Sequence, residues 1–268
     1  MLRRWCTPLA GLALAGGAFV ASAPAAAASH PARTTIHLIR PAIHLIRPAR
    51  HGTAPMAVRG RPAHAAQSQN WSGYAAHGKS YKKISANWVE PAGHCTGSRA
   101  FSSFWAGLDG FNSQTVEQTG TSVDCSGGHA RYYGWYEMYP AFPVNFSNPV
   151  HPGDHITGSV TFTGGGHYTL VLKDTTQGWS HTVLKTLNGA ANSSAEIIAE
   201  APSSNSGVLP LTNFGTVQFS NAAVNGAAIG NANPTKIIMV GGSGRAKDSV
   251  SALTGGTAFS VKWLHSTR

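Results

Sequence analysis

From Asn70 onward apolar and polar residues alternate with a period of two, the spacing of strands with one buried face rather than of helices. Ile156, Gly158, Val160 and Phe162 alternate with Thr157, Ser159, Thr161 and Thr163. Tyr168, Leu170 and Leu172 then alternate with Thr169, Val171 and Lys173, and Gly164-Gly165-Gly166 lies between the two runs, which predicts a hairpin. Further strands are predicted over 85–89, 102–108, 130–139, 195–201, 216–220, 236–240 and 257–264. No window of about a dozen residues keeps helical spacing with caps at its ends. Many short strands with turn residues between them predict an all-β chain, an antiparallel two-sheet β-sandwich of the concanavalin-like jelly-roll kind.

Charge divides the chain. Residues 1–66 carry eight Arg and no acidic residue, leaving twelve basic and ten acidic residues for the rest. The formal net charge of +10 therefore belongs mainly to the leader. The nearly neutral body argues against a nucleic-acid partner. Residues 1–28 read as a secretory signal peptide: Arg3 and Arg4, an apolar core from Leu9 to Val20, and Ala-x-Ala sites ending at Ala23 or Ala28. That core is short for a bilayer and no later stretch is long enough, so a secreted protein without a stable membrane anchor is expected. The paired Arg leaves general and twin-arginine export both open.

Residues 29–66 form a basic Pro/His/Arg-rich segment with a direct repeat, IHLIRPA at 36–42 and again at 43–49. It reads either as a linker bearing a duplication or as an inhibitory pro-segment. In the second reading its Arg residues pair with cleft carboxylates near neutrality. Acid breaks that attraction by neutralising the carboxylates while five His gain charge. The body is then 67–268. Signal removal leaves Cys95 and Cys125, and in an exported chain an even count favours a disulfide over two buried thiols.

Several chemistries lack their residues. There is no HExxH, and His151 and His155 flank a Pro-Gly turn where a helix would be needed to pair them on a metal. Gly241-Gly242-Ser243-Gly244 lacks nucleophile-elbow spacing. Asp109-Gly110 lacks the Ser or Thr of an aspartic-protease loop and occurs once, whereas that mechanism needs two carboxylates. Glu196 and Glu200 would lie some 13 Å apart on an extended strand, a poor retaining glycosidase pair. No metal or cofactor is expected.

Five segments, in order, resemble the glutamic peptidases, or eqolisins. Asn70-Trp71-Ser72-Gly73-Tyr74 looks like that family's mature start, and Ser85-Ala86-Asn87-Trp88-Val89-Glu90-Pro91 like its next strand. Trp105-Ala106-Gly107-Leu108-Asp109-Gly110 followed by Val116-Glu117-Gln118-Thr119-Gly120 is similar to the segment bearing the catalytic glutamine. Trp135-Tyr136-Glu137-Met138-Tyr139-Pro140 looks like the aromatic cleft strand, and Ala195-Glu196-Ile197-Ile198-Ala199-Glu200 like the strand ending in the catalytic glutamate. The family often has Trp where Ile197 stands, which bears on the cleft wall, and fungal members an acid where Tyr133 stands.

The resemblance implies a secreted acid endopeptidase acting on protein or peptide substrates, with Glu200 and Gln118 as its catalytic dyad. Glu200 would take a proton from the attacking water. Gln118 would hold that water and donate to the oxyanion. No metal and no covalent intermediate are involved. Trp105, Asp109, Trp135 and Glu137 are candidates for the substrate cleft or for groups bonded to the dyad. Acid tolerance is expected from the small number of carboxylates, and a monomer is expected. The competing readings are a carbohydrate-binding module using the same tryptophans as stacking platforms, and an inactive peptidase homologue.

Overall fold

The structure, a computed structural model, describes residues 65–204 and 207–266. The expected signal peptide and nearly all of the basic segment lie outside the described residues. The strands are β1 (Ala65–Ser68), β2 (Trp71–His77), β3 (Lys83–Val89), β4 (Ala100–Leu108), β5 (Val116–Ser126), β6 (His129–Tyr139), β7 (Val144–Asn145), β8 (His155–Gly164) and β9 (His167–Asp174). They continue as β10 (Trp179–Thr186), β11 (Ser194–Glu200), β12 (Ser203–Ser204), β13 (Gly207–Val208), β14 (Thr216–Val224), β15 (Ala227–Ala228), β16 (Thr235–Met239), β17 (Asp248–Val250) and β18 (Phe259–Trp263). The one helical turn among the described residues is a 3₁₀ turn at Ile229–Ala232.

Two large sheets form the sandwich. The first runs β1-β16-β2-β11-β4-β5-β6-β7, and the second runs β10-β9-β8-β3-β14-β18-β17 with β15 beside β14. Every neighbouring pair in them is antiparallel except β1 with β16, a parallel edge. The predicted hairpin is β8–β9, and all three turn glycines have positive φ, a conformation that costs Gly little and other residues more.

The core follows from the period of two. In β8 and β9, Ile156, Val160, Tyr168, Leu170 and Leu172 point inward. They meet Phe104, Ala106 and Leu108 of β4 and Ile197 and Ala199 of β11 from the first sheet. Ile197 therefore fills the inter-sheet core. An Ile there in place of Trp alters core packing and not the cleft wall, correcting the sequence-based expectation. Cys95 and Cys125 are joined by a disulfide across 30 residues. Closing a loop of that length stabilises a fold by roughly 3–4 kcal/mol in the chain-entropy picture.

Candidate active site

The side of the first sheet facing away from the core is built by register. Glu200 lies opposite Ser103, Ser103 opposite Ser122 and Ser122 opposite Tyr133. The next row is Ile198, Trp105, Gly120 and Trp135, and the one after it is Glu196, Gly107, Gln118 and Glu137. Because the intervening residues of β4 and β11 enter the inter-sheet core, these rows share the opposite face. Trp71, Trp105, Trp135, Ile198 and Val116 form an apolar cluster of their own there.

Glycine makes room on this face. A Cβ on Gly120 would fall 2.2 Å from the Phe104 carbonyl oxygen and 2.6 Å from the Trp105 Cβ. The Trp71 and Trp105 rings meet edge to face at 5.0 Å.

The Trp105 indole Nε1 donates to Glu200 Oε2 at 2.7 Å, and Asn70 Nδ2 donates to Glu200 Oε1 at 3.1 Å. Glu200 is fully buried. Burial pushes its carboxyl up to about 8, against the opposing pull of Trp105, Trp71 and Asn70. Gln118 Nε2 donates to Glu137 Oε2 at 2.7 Å, while Gln118 Oε1 has no hydrogen-bond partner among the described residues. Glu137 is raised well above the usual carboxyl range, first by burial and then by the charge of Glu200, with the Gln118 bond opposing. Glu137 thus accepts from Gln118 within one row of the sheet, and Glu200 stands two rows along the same face.

The remaining candidates separate. Trp105 contacts Glu200 directly, and Trp135 is buried in the same aromatic cluster. Asp109 is occupied elsewhere. Its carboxylate accepts the backbone N–H groups of Asn192 at 2.6 Å and Ser193 at 2.8 Å, fixing the approach to β11. Its side-chain hydrogen bonds reach neither Glu200 nor Gln118, so its role here is to hold the strand that carries Glu200. Glu196 lies on the same face and, like Glu200 and Gln118, is fully buried; burial holds it well above the ordinary carboxyl range. Tyr133 donates its hydroxyl to Asp124 Oδ2 at 2.8 Å. The sequence reading passed over Asn70 as a contact to the glutamate. No spacing signal could have supplied it, since 130 residues separate the pair. Among the described residues no group of three or more His, Cys, Asp or Glu is placed to hold a metal ion.

The fold and site define a two-sheet β-sandwich with a carboxyl–amide pair and tryptophans on the sheet face turned away from the inter-sheet core. More narrowly, residues 69–263 match the Peptidase A4 family, and the chain is a member of that family, the glutamic peptidases. Aspergillopepsin-2 of Aspergillus niger is 28% identical over 194 residues, covering 63% of this chain and 69% of that protein. Scytalidopepsin B of Scytalidium lignicola is 34% identical over 116 residues, covering 42% of this chain and 43% of that one. A solved structure of scytalido-glutamic peptidase with a peptide-based transition-state analogue superimposes with a TM-score of 0.62 at 26% identity. It covers 73% of this chain and 98% of that one. The chain is accordingly a glutamic-type acid endopeptidase.

Proposed function

We propose that Glu200 and Gln118 hydrolyse peptide bonds as a dyad, Glu200 as general base and Gln118 as the group that orients water and stabilises the oxyanion. The observation that carries this reading is that the Gln118–Glu137 hydrogen bond and the Glu200 carboxyl lie on one face of the sheet, with the row of Trp105 and Trp135 between them. A Gln amide cannot titrate, so it keeps the same donors and the same acceptor at any working pH. One N–H of Gln118 is committed to Glu137, leaving the second for a developing oxyanion and Oε1 for the attacking water. Glu200 takes the water proton as the oxygen attacks the carbonyl and returns it to the leaving amine. Peptide substrates fit the peptide-based transition-state analogue bound by the scytalido enzyme.

Burial makes the resting Glu200 neutral below about 8. Work in acid therefore requires water and a bound peptide to supply hydrogen bonds that lower this value, because desolvation is the first cause of the shift. The decisive comparison is wild type with Glu200→Gln and Gln118→Ala on an unfolded protein substrate at roughly pH 3–4. Pepstatin and a chelator serve as controls, and each variant is checked for folding. We expect losses of about 10²–10⁴-fold for Glu200→Gln and about 10²–10³-fold for Gln118→Ala, with wild type insensitive to both inhibitors. A folded Glu200→Gln variant retaining full activity refutes the dyad.

A further inference from the structure

Asn70 touches the Glu200 segment at two points. Its Nδ2 donates to Glu200 Oε1 at 3.1 Å, and its backbone carbonyl accepts the N–H of Ala201, the next residue, at 2.9 Å. The amide is itself held in one orientation. Ser68 Oγ accepts the backbone N–H of Trp71 at 3.1 Å and of Asn70 at 3.3 Å, which leaves its proton to be donated to Asn70 Oδ1 at 3.1 Å. Turning the amide over would set its oxygen against the ionised Glu200 carboxylate and lose the Ser68 bond. Ser68 is anchored in turn, because β1 pairs with β16 and the Ser68 carbonyl accepts the Val240 N–H at 2.8 Å. Ser68, Asn70 and Glu200 are all buried, so water competes poorly for these bonds.

We propose that Asn70, locked by Ser68, is a positioning residue for Glu200, fixing the carboxylate and favouring its ionised form; this rests on the reading of Glu200 as the base. Asn70 and Trp105 hold one carboxylate oxygen each, Oε1 and Oε2. With both donors in place the carboxylate plane cannot rotate freely. Hydrogen bonds donated to the charged form also oppose the effect of burial. The proposal has a consequence at the chain's beginning: any active form must retain Ser68 and Asn70, so processing ends at or before Ser68.

The test uses the full chain, incubated in acid, with Asn70→Ala, Ser68→Ala and Glu200→Gln compared by kcat, KM and pH profile. Asn70→Ala should lower kcat about tenfold with KM nearly unchanged, and should move the acid limb of kcat/KM to higher pH by about half a unit to one unit, since a donor to the ionised form is gone. Ser68→Ala should shift the limb the same way by less. Loss of thermal stability alone, with the acid limb unmoved, overturns the proposal. So does a fully active form whose amino terminus, read by intact mass, begins after Ser68. Full activity in folded Glu200→Gln instead refutes the base assignment, a result that the Asn70 data do not imitate.

Discussion

Trp105 shows how one side chain serves packing and chemistry together. Its ring lies in the cluster with Trp71 and Trp135, while its indole N–H is spent on Glu200 Oε2 at 2.7 Å. Removing the N–H while keeping an aromatic ring separates the two roles. Trp105→Phe should leave the fold intact but raise the Glu200 pKa further, because the indole is the largest of the groups opposing burial. A hydrogen bond to a charged group is worth about 1.5–3 kcal/mol, so kcat/KM in acid should fall at least tenfold, with its acid limb displaced upward. An unchanged pH profile would show that the indole serves packing only. Asp109 is the opposite case. An acid beside a glycine, next to the segment expected to carry the dyad, invites a role in the cleft, yet backbone N–H groups at 192 and 193 take up its carboxylate. A sequence cannot say which donors a carboxylate will meet across 83 residues.

At the scale of the strand, register decides what the cleft contains. The period of two of any strand puts Gln118 on one face with Val116 and Glu200 on one face with Ile198. It could not align β11, β4, β5 and β6 into rows, since pairing depends on turns and on contacts between distant segments. The predicted strands nearly coincide with β3, β4, β6, β8, β9, β11 and β16. Strands β5 and β2 escaped the pattern. In β5 both faces are buried, so Val116–Ser126 mixes Glu, Gln, Thr and Ser with apolar residues and shows no clean alternation. The same double burial makes Gly120 intolerant of a side chain. Gly120→Ala should destabilise the fold by ~2 kcal/mol or more in denaturant unfolding, the cost of forcing a methyl group into packed atoms. A neutral result would mean that β4 can shift away from β5 at little cost.

For the whole molecule the notable feature is where its acids lie. Of the chain's ten carboxyls, nine are buried, and only Asp124 is partly exposed. Burial raises Glu90, Glu117 and Glu200 to about 8 and Asp124 and Asp248 to about 7; it also lifts Glu137 and Glu196 well up, while Asp154 is lowered. The expectation of acid tolerance thus gains a second ground: burial favours the neutral form of most of these carboxyls, with Asp154 an exception. For a group raised in the native state, the native protein holds more protons than the unfolded one between about 4 and 8. Its contribution is fully present below the unfolded value near 4 and is lost as pH rises through the folded value. Thermal unfolding midpoints should therefore fall as pH rises from about 4 to 8, and a rising trend would contradict the burial pattern. Lys247, buried and lowered to about 8, acts with the opposite slope but only above that pH.

The sequence alone determined the all-β class, the hairpin at the triple glycine, the family, and the choice of Glu200 and Gln118 as candidates. These rest on local patterns: a period of two, turn residues, and short motifs in order. Only the tertiary structure decided that Glu137 accepts from Gln118, that Asp109 clamps a loop, that Ile197 fills the core, and that Asn70 grips Glu200. Each of those outcomes depends on which donors and acceptors meet across dozens of residues, and on how deeply burial removes water from a carboxyl. Side-chain identity states what a group can donate or accept, whereas packing states with whom and at what dielectric.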